Sequence, residues 1–111
     1  MKPRKYLNTP TVVDGFKFDS KGEAERYRAL RLLERAGEIT DLELRPRFPL
    51  VIGAMPVKIG NRQAVYWGDF RYRTAFGESV TEDFKGMDTP ISKLKRALVK
   101  VMYGVDVRLV R

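Results

Sequence analysis

The sequence predicts an α/β fold in which a mixed sheet is flanked by two helices. Three observations carry this. Two stretches have helix signals at both ends: a Ser20-x-x-Glu23 capping box ahead of an apolar arc that stops at Gly37, and Thr89-Pro90 ahead of a second stripe that stops at Gly104. Between them, Ala64–Arg73 and Val80–Lys85 are β-branched and aromatic, joined through Ala75-Phe76-Gly77, a three-residue hairpin loop. A last extended piece, Val105–Val110, is reached only through the second helix, which calls for a parallel crossover.

Taken in order, residues 1–10 form a basic N-terminal arm with Lys2, Arg4 and Lys5, and residues 11–111 form one domain. Thr11–Phe18 alternates around Asp14-Gly15, which suits a tight turn between two short strands. In the helix Ser20–Ala36, Tyr27, Leu30, Leu33, Ala29, Ala36 and Leu32 fill one wide arc. Glu23 falls inside that arc, as a cap residue or as an acid reaching over the sheet. Glu25, near the arc's edge, is the competing acid. Ile39–Leu44 reads as a strand. Pro46 and Pro49 interrupt the next stretch, so Phe48–Ile52 is a second extended piece or an edge. Residues 53–63 read as a Gly-rich loop or loose hairpin, and no internal repeat is expected. Gly86 ends the strand that holds Lys85. The second helix runs to about Tyr103 with Ile91, Leu94, Leu98, Val101 and Met102 as its stripe.

Composition narrows the chemistry. The 111 residues contain no cysteine and no histidine, which excludes disulfides, thiolate or imidazole zinc sites, and triads built on histidine. Carboxylates, lysine, tyrosine or a bound ion remain. Lys and Arg number 22 against 14 acids, a net charge of +8, which favours a polyanionic partner such as nucleic acid over a merely soluble or ribosome-like basic protein. No run is long and apolar enough for a membrane span, and the basic start has no apolar core of a signal peptide.

The hairpin carries the chemistry. Counting outward from its loop pairs Thr74 with Glu78 and sets Asp69 opposite Asp83. Lys85 shares the Asp83 face, while Glu82 and Phe84 point the other way. Opposed carboxylates repel unless something positive lies between them. Lys85 is one answer and a hard divalent cation is another. A ladder of solvated surface charges is the plainer reading, but Val65 and Trp67 precede Asp69 on the same face and make it half-buried. Tyr66, Tyr72, Phe70 and Trp67 read as core. Tyr72 and Tyr103 are the two tyrosines worth considering as base-stacking platforms. On the last helix, Lys93, Lys95, Arg96 and Lys100 form either a solvated face or a row of phosphate contacts.

The ordered series of motifs resembles the PD-(D/E)XK nuclease superfamily, in its small phage and prophage branch known as DUF1064. The run Asp14–Tyr27, the Leu42–Phe48 piece, Tyr66-x-x-Asp69-Phe70, then Glu82-Asp83-x-Lys85-Gly86 and Thr89 carry that resemblance. It implies an αβββαβ restriction-endonuclease-like core with a mixed sheet and a kinship with RecU-like Holliday-junction resolvases. It makes Asp69 and Asp83 metal ligands, raises Glu23 to a third acid, and makes Lys85 the catalytic lysine with Mg²⁺ or Mn²⁺ as cofactor. Lys95 would face the site, with Thr89, Lys93, Arg96, Lys100 and the arm on DNA. The implied activity is cleavage of branched or structured DNA in the cytoplasm of a bacterial host, by a homodimer joined through residues 53–63 or the arm. A non-catalytic nucleic-acid-binding or phage-assembly module is the alternative. Gly68 stands where the superfamily's name has proline.

Overall fold

The computed structural model describes residues 9–85 and 87–111. Lys2, Arg4, Lys5 and the strand-ending Gly86 lie outside them. β1 (Thr11–Val13) and β2 (Phe16–Phe18) form the expected small hairpin. Asp14 and Gly15 both take positive φ, 52° and 80°, which is the geometry a two-residue turn of this hand needs. α1 (Lys21–Arg35) begins where the Ser20 hydroxyl accepts the Glu23 amide at 3.1 Å. Its buried stripe is narrower than the expected arc. Ala24, Tyr27 and Leu30 are buried, while Leu32, Leu33 and Ala36 are exposed. One ridge of the helix rests on β1, β2 and the next strand, and its flanks stay in water.

β3 (Ile39–Leu44) follows, then β4 (Arg47–Pro49), β5 (Val51–Ile52), β6 (Met55–Pro56), β7 (Lys58–Ile59), β8 (Arg62–Gln63), β9 (Val65–Trp67), β10 (Phe70–Thr74) and β11 (Ser79–Phe84). α2 (Pro90–Tyr103) and β12 (Val107–Val110) complete the chain. The main sheet has the order β12-β11-β10-β3. β10 is antiparallel to β3 and β11, and β12 joins β11 in parallel through the α2 crossover. This is an α/β fold with a mixed sheet and two helices, in the order expected. The loop count also holds along the hairpin: Phe70 pairs with Glu82, Arg71 with Thr81 and Tyr72 with Val80. Gly77 sits at φ 82° and closes the loop with its amide on the Thr74 carbonyl at 2.9 Å. α2 has both its expected caps, the Thr89 hydroxyl on the Ser92 amide at 3.2 Å and Gly104 at φ 69°.

The single strand expected over Ala64–Arg73 is broken at Gly68-Asp69. Its first half, β9, leaves the main sheet and pairs with β4. The expected loop at 53–63 belongs to two tight hairpins, β5–β6 and β7–β8. Each turns on a glycine at positive φ, Gly53 at 61° and Gly60 at 64°. A ring of backbone hydrogen bonds locks the hairpins together: the Leu50 amide on the Ala64 carbonyl at 2.9 Å, Val57 on Leu50 at 2.8 Å and Ala64 on Val57 at 2.7 Å.

The sheet separates two cores. On one face Phe70, Tyr72 and Val80 meet Phe18, Ala24, Tyr27, Leu30 and Ile39. On the other Phe48, Leu50, Ala64 and Tyr66 meet Val99, with Leu98, Met102 and Val107 packed around them. α2 therefore uses a different stripe from the expected one. Val99 is its fully buried residue, whereas Ile91, Leu94 and Val101 are 53%, 56% and 84% exposed. No helix among the described residues is long and apolar enough to cross a membrane.

A buried charge ties α1 to the sheet. Glu82, pointing to the α1 face, is 0% exposed. Arg26 donates to both its oxygens, at 2.8 and 2.6 Å, and the Tyr72 hydroxyl adds a third bond. Burial works against the anion, but the Arg26 and Tyr72 hydrogen bonds outweigh it and hold the pKa below the ordinary glutamate value. A depressed pKa gives stability that is present above the ordinary value and lost as pH falls through the lowered one. Arg26→Ala should cost about 3 kcal/mol in urea denaturation at pH 7, the low end for a buried pair because Arg26 keeps an edge in water. The penalty should shrink as the pH falls below about 4, where the variant's carboxyl is already protonated. A urea midpoint unchanged at pH 7 would show that the pair does not hold α1.

Candidate functional site

Alternation along β11 puts Asp83 on the face away from Glu82, toward α2. Asp83 is 3% exposed. Its Oδ2 lies 3.3 Å from Lys85 Nζ and also accepts the Tyr66 hydroxyl. Lys85 Nζ donates to Ser92 Oγ at 3.3 Å, in the first turn of α2. The lysine is thus held between the β11 acid and the start of the helix. Asp83 and Lys85 share a face, as alternation requires.

Asp69 sits at the break between β9 and β10. Three backbone bonds fix the break: Gly68 amide to Pro46 carbonyl at 3.0 Å, Arg45 amide to Asp69 carbonyl at 2.9 Å, and Asp69 amide to Glu82 carbonyl at 2.9 Å. The last of these slips the register by one residue, because Glu82 is already the ladder partner of Phe70. Asp69 is therefore not the ladder partner of Asp83, as the loop count alone would have it. The irregularity re-aims the side chain, as bulges do. The Asp69 Oδ2 accepts the Phe84 amide at 2.7 Å, and its carboxyl lies close enough to those of Asp83 and Glu23 to feel both. The two acids meet by a different route from the one expected. Burial, then the Glu23 charge and the contact with Asp83, push the Asp69 pKa up to about 8.

Glu23 reaches this point because α1 begins very close to β11. A Cβ on Gly22 would stand 2.4 Å from the Phe84 ring. Glu23 does not close a reciprocal capping box. Its carboxyl engages Asp69 and the Asp19 backbone, and burial with the Asp19 charge raises its pKa while nearby Arg45 lowers it. Glu25 is exposed on the other side of the helix. Glu23, Asp69, Asp83 and Lys85 are thus brought to one end of the sheet. Among the described residues no group of three or more acids stands close enough together to hold a metal ion. The Asp69–Asp83 pair does fit one. It offers hard oxygen donors, and the burial and repulsion that raise the Asp69 pKa would be relieved by a cation between the two acids.

The expected phosphate-contacting residues scatter. Lys93 is exposed. Lys95 Nζ donates to the Val65 carbonyl at 3.3 Å, and Arg96 grips Asp88 at 2.8 and 2.6 Å. Lys100 lies 3.0 Å from Asp106 on the surface, and Thr89 is the α2 cap. Tyr72 is buried on Glu82, so it is no stacking platform, and the hydroxyl of half-exposed Tyr103 donates to the Pro49 carbonyl at 2.5 Å. Tyr66 is the core residue expected, on the face opposite to the one alternation gives, whereas Trp67 is not a core residue. Tyr66 is buried but bonded to Asp83, and Trp67 is 47% exposed. The break explains both. It reverses the parity of β9 relative to β10, so Tyr66 turns to the Asp83 face and Trp67 away from it.

A family profile described as a protein of unknown function, DUF1064, matches residues 3–110 of the chain. No curated protein and no solved structure matches.

The raised Asp69 pKa sets a stability test. A carboxyl whose folded pKa lies above its unfolded value of 3.8 weakens the folded state progressively as pH rises toward about 8, with the full cost above that. Asp69→Asn keeps the shape and removes the charge. In EDTA it should raise Tm by about 5 °C at pH 9 and clearly less at pH 5. An equal shift at both pH values would mean that Asp69 titrates normally.

Proposed function

The chain belongs to the DUF1064 family, and we propose that it is a divalent-metal-dependent endonuclease of the PD-(D/E)XK type, acting on branched or structured DNA. The observation that carries this reading is the meeting of half-buried Asp69 with buried Asp83, which has Lys85 3.3 Å away, in a chain of net charge +8. A protein that only bound polyanions would gain affinity by losing both acids.

Asp69 and Asp83 would hold Mg²⁺ or Mn²⁺, with Glu23 supporting Asp69. When bound, the ion supplies an acidified water and neutralises phosphate charge. The Tyr66 hydroxyl and the Lys85 ammonium fix the Asp83 carboxylate in one orientation. Lys85, braced on Ser92, is the donor available to the attacking water or to a phosphoryl oxygen as charge builds there. The α2 cations Lys93, Lys95 and Arg96, with Lys100 and the N-terminal arm, would add phosphate contacts that carry affinity but no sequence information. Two cuts on a branched substrate call for two sites, hence a homodimer. Exposed Ile52, Met55, Ile59 and Val101 support such self-association.

Four-way junction, flap, duplex and single-stranded DNA incubated with Mg²⁺, Mn²⁺ or EDTA provide the test. Cleavage should need metal, and Asp83→Ala or Lys85→Ala should reduce it about 100-fold or more while DNA binding persists. Undiminished cutting by either variant would end the assignment, and binding without cutting by the wild type would favour a non-catalytic module.

Metal binding must also displace the Asp69 proton. Mn²⁺ affinity followed by calorimetry should therefore tighten by about tenfold per pH unit up to pH 8 and then level off. In Asp69→Asn this slope should vanish. A flat profile in the wild type would place the ion elsewhere.

A further inference from the structure

The chain's sole tryptophan is misplaced for a core residue. Trp67 is 47% exposed, two positions before Asp69. Two guanidiniums lie over its ring, Arg45 at 5.6 Å and Arg47 at 5.9 Å from the centroid. Both arginines are exposed, and neither forms an ion pair among the described residues. Arg28, Arg35, Arg62, Arg108 and Arg111 are likewise outside ion pairs, but of these unbridged arginines Arg45 and Arg47 are the two set over an aromatic ring. Arg45 feels the Glu23 charge but is not bridged to it, so both guanidiniums keep donors available to an outside anion.

The backbone beneath this cluster is rigid and strained. Arg45 sits at φ 53°, a left-handed conformation unfavourable for a residue with a long side chain. Its amide is bonded to the Asp69 carbonyl at 2.9 Å, and buried Pro46 accepts the Gly68 amide at 3.0 Å. The two arms of the cluster, 45–47 and 67–69, are therefore pinned to each other and to the acid. The ladder adds Arg47 opposite Trp67. Arg45 also lines a cleft with Glu23, Asp69, Lys17 and half-exposed Phe16. At about 140 Å³, this cleft is far below the roughly 300 Å³ at which ligand pockets begin. A strand would pass over its mouth rather than enter it.

We propose that Arg45, Arg47 and Trp67 hold an unpaired stretch of DNA strand beside the acids. The guanidiniums take its phosphates, and the indole takes one unstacked base. This deepens the nuclease reading and rests on it only for the role of Asp69. Phosphate contacts alone would need cations but no exposed indole. An exposed aromatic beside arginines is what binds single strands, since every base has a π face. Duplex DNA keeps its bases stacked inside and cannot use the indole. The unpaired nucleotides of a junction or flap can.

Trp67 reports on its own contact, because no other tryptophan contributes to the emission. Wild-type protein in EDTA would be titrated with a single-stranded oligonucleotide, the same length of blunt duplex, an abasic strand and polyphosphate. The single strand should change Trp67 emission saturably, at concentrations about tenfold below the duplex. The abasic strand and polyphosphate should bind with little change in emission. Equal responses to single strand and duplex, or an abasic strand as effective as the natural one, would overturn the base contact. Anisotropy of a labelled strand then tests the residues. Trp67→Ala and Arg47→Ala should weaken binding about tenfold, and Trp67→Phe less than about threefold. Arg45→Asn keeps a residue that tolerates the left-handed backbone and should weaken binding as Arg47→Ala does. Wild-type affinity in all four, with unchanged circular dichroism and Tm, would sink the proposal. Saturable Trp67 response without metal-dependent cleavage would overturn the nuclease reading and leave the strand contact standing. Cleavage without any Trp67 response would do the reverse.

Discussion

The break at Gly68-Asp69 is the constraint on which the rest of the site depends. Three backbone hydrogen bonds close it, and two of them reach across to the Arg45–Pro46 turn. A Cβ at position 68 would lie 3.0 Å from the Pro46 ring and 3.2 Å from the Thr81 methyl. A side chain there would press on Pro46 and Thr81 by a few tenths of an ångström, so space and not a left-handed φ favours glycine. The same geometry disfavours proline at this position. A proline at 68 would lose the amide that donates to Pro46, and its ring would fill space that Pro46 already occupies. The stiffness a proline would bring at 68 is supplied from the neighbouring chain.

From that break the two faces of the sheet diverge. On the α1 face, Glu82 with Arg26 and Tyr72 makes a fully bonded buried ion group, and Phe84 rests against Gly22. Together they set how closely α1 approaches β11, and so whether Glu23 reaches Asp69. On the α2 face, Tyr66 and Lys85 converge on Asp83. Neighbouring residues of one strand thus serve opposite purposes. Glu82 is neutralised and anchors a helix, whereas Asp83 touches another acid and is left short of positive charge. A single lysine at 3.3 Å, shared with Ser92, does not balance two carboxylates in a half-dry site.

Those parts of the fold governed by local rules were legible in the sequence. Caps at Ser20 and Thr89 and the glycine at 104 fixed both helices, and a three-residue loop fixed the β10–β11 register. The Asp83–Lys85 relation came from alternation alone. What failed depended on partners distant in sequence. Alternation put Glu82 on the face opposite Asp83 but not its burial, because Arg26, 56 residues earlier, is what makes that burial tolerable. Alternation carried through a break that reverses it puts Tyr66 and Trp67 in the wrong surroundings. A Gly-Asp pair inside an otherwise β-rich run is a local signal for such a break. The α2 stripe misled for another reason. The β4–β9 layer covers the side of α2 around Val99 and leaves Ile91, Leu94 and Val101 uncovered, an outcome set by the neighbours and not by the helix.

The charge distribution explains why the acids and the cations coexist. Burial and the neighbouring acids Glu23 and Asp83 raise the Asp69 pKa. A proton on Asp69 lessens the negative charge that an approaching phosphate would meet. The chain as a whole carries a net charge of +8. A cation entering the centre would replace a proton on Asp69 and add a full positive charge where the phosphate arrives. Affinity for the strand and affinity for the ion would then rise together, because each reduces the other's electrostatic cost. A site built from two acids, one lysine and no histidine can achieve this only by keeping its carboxylates dry and in contact. The Gly68-Asp69 break, Tyr66 and the close approach of α1 together impose that arrangement.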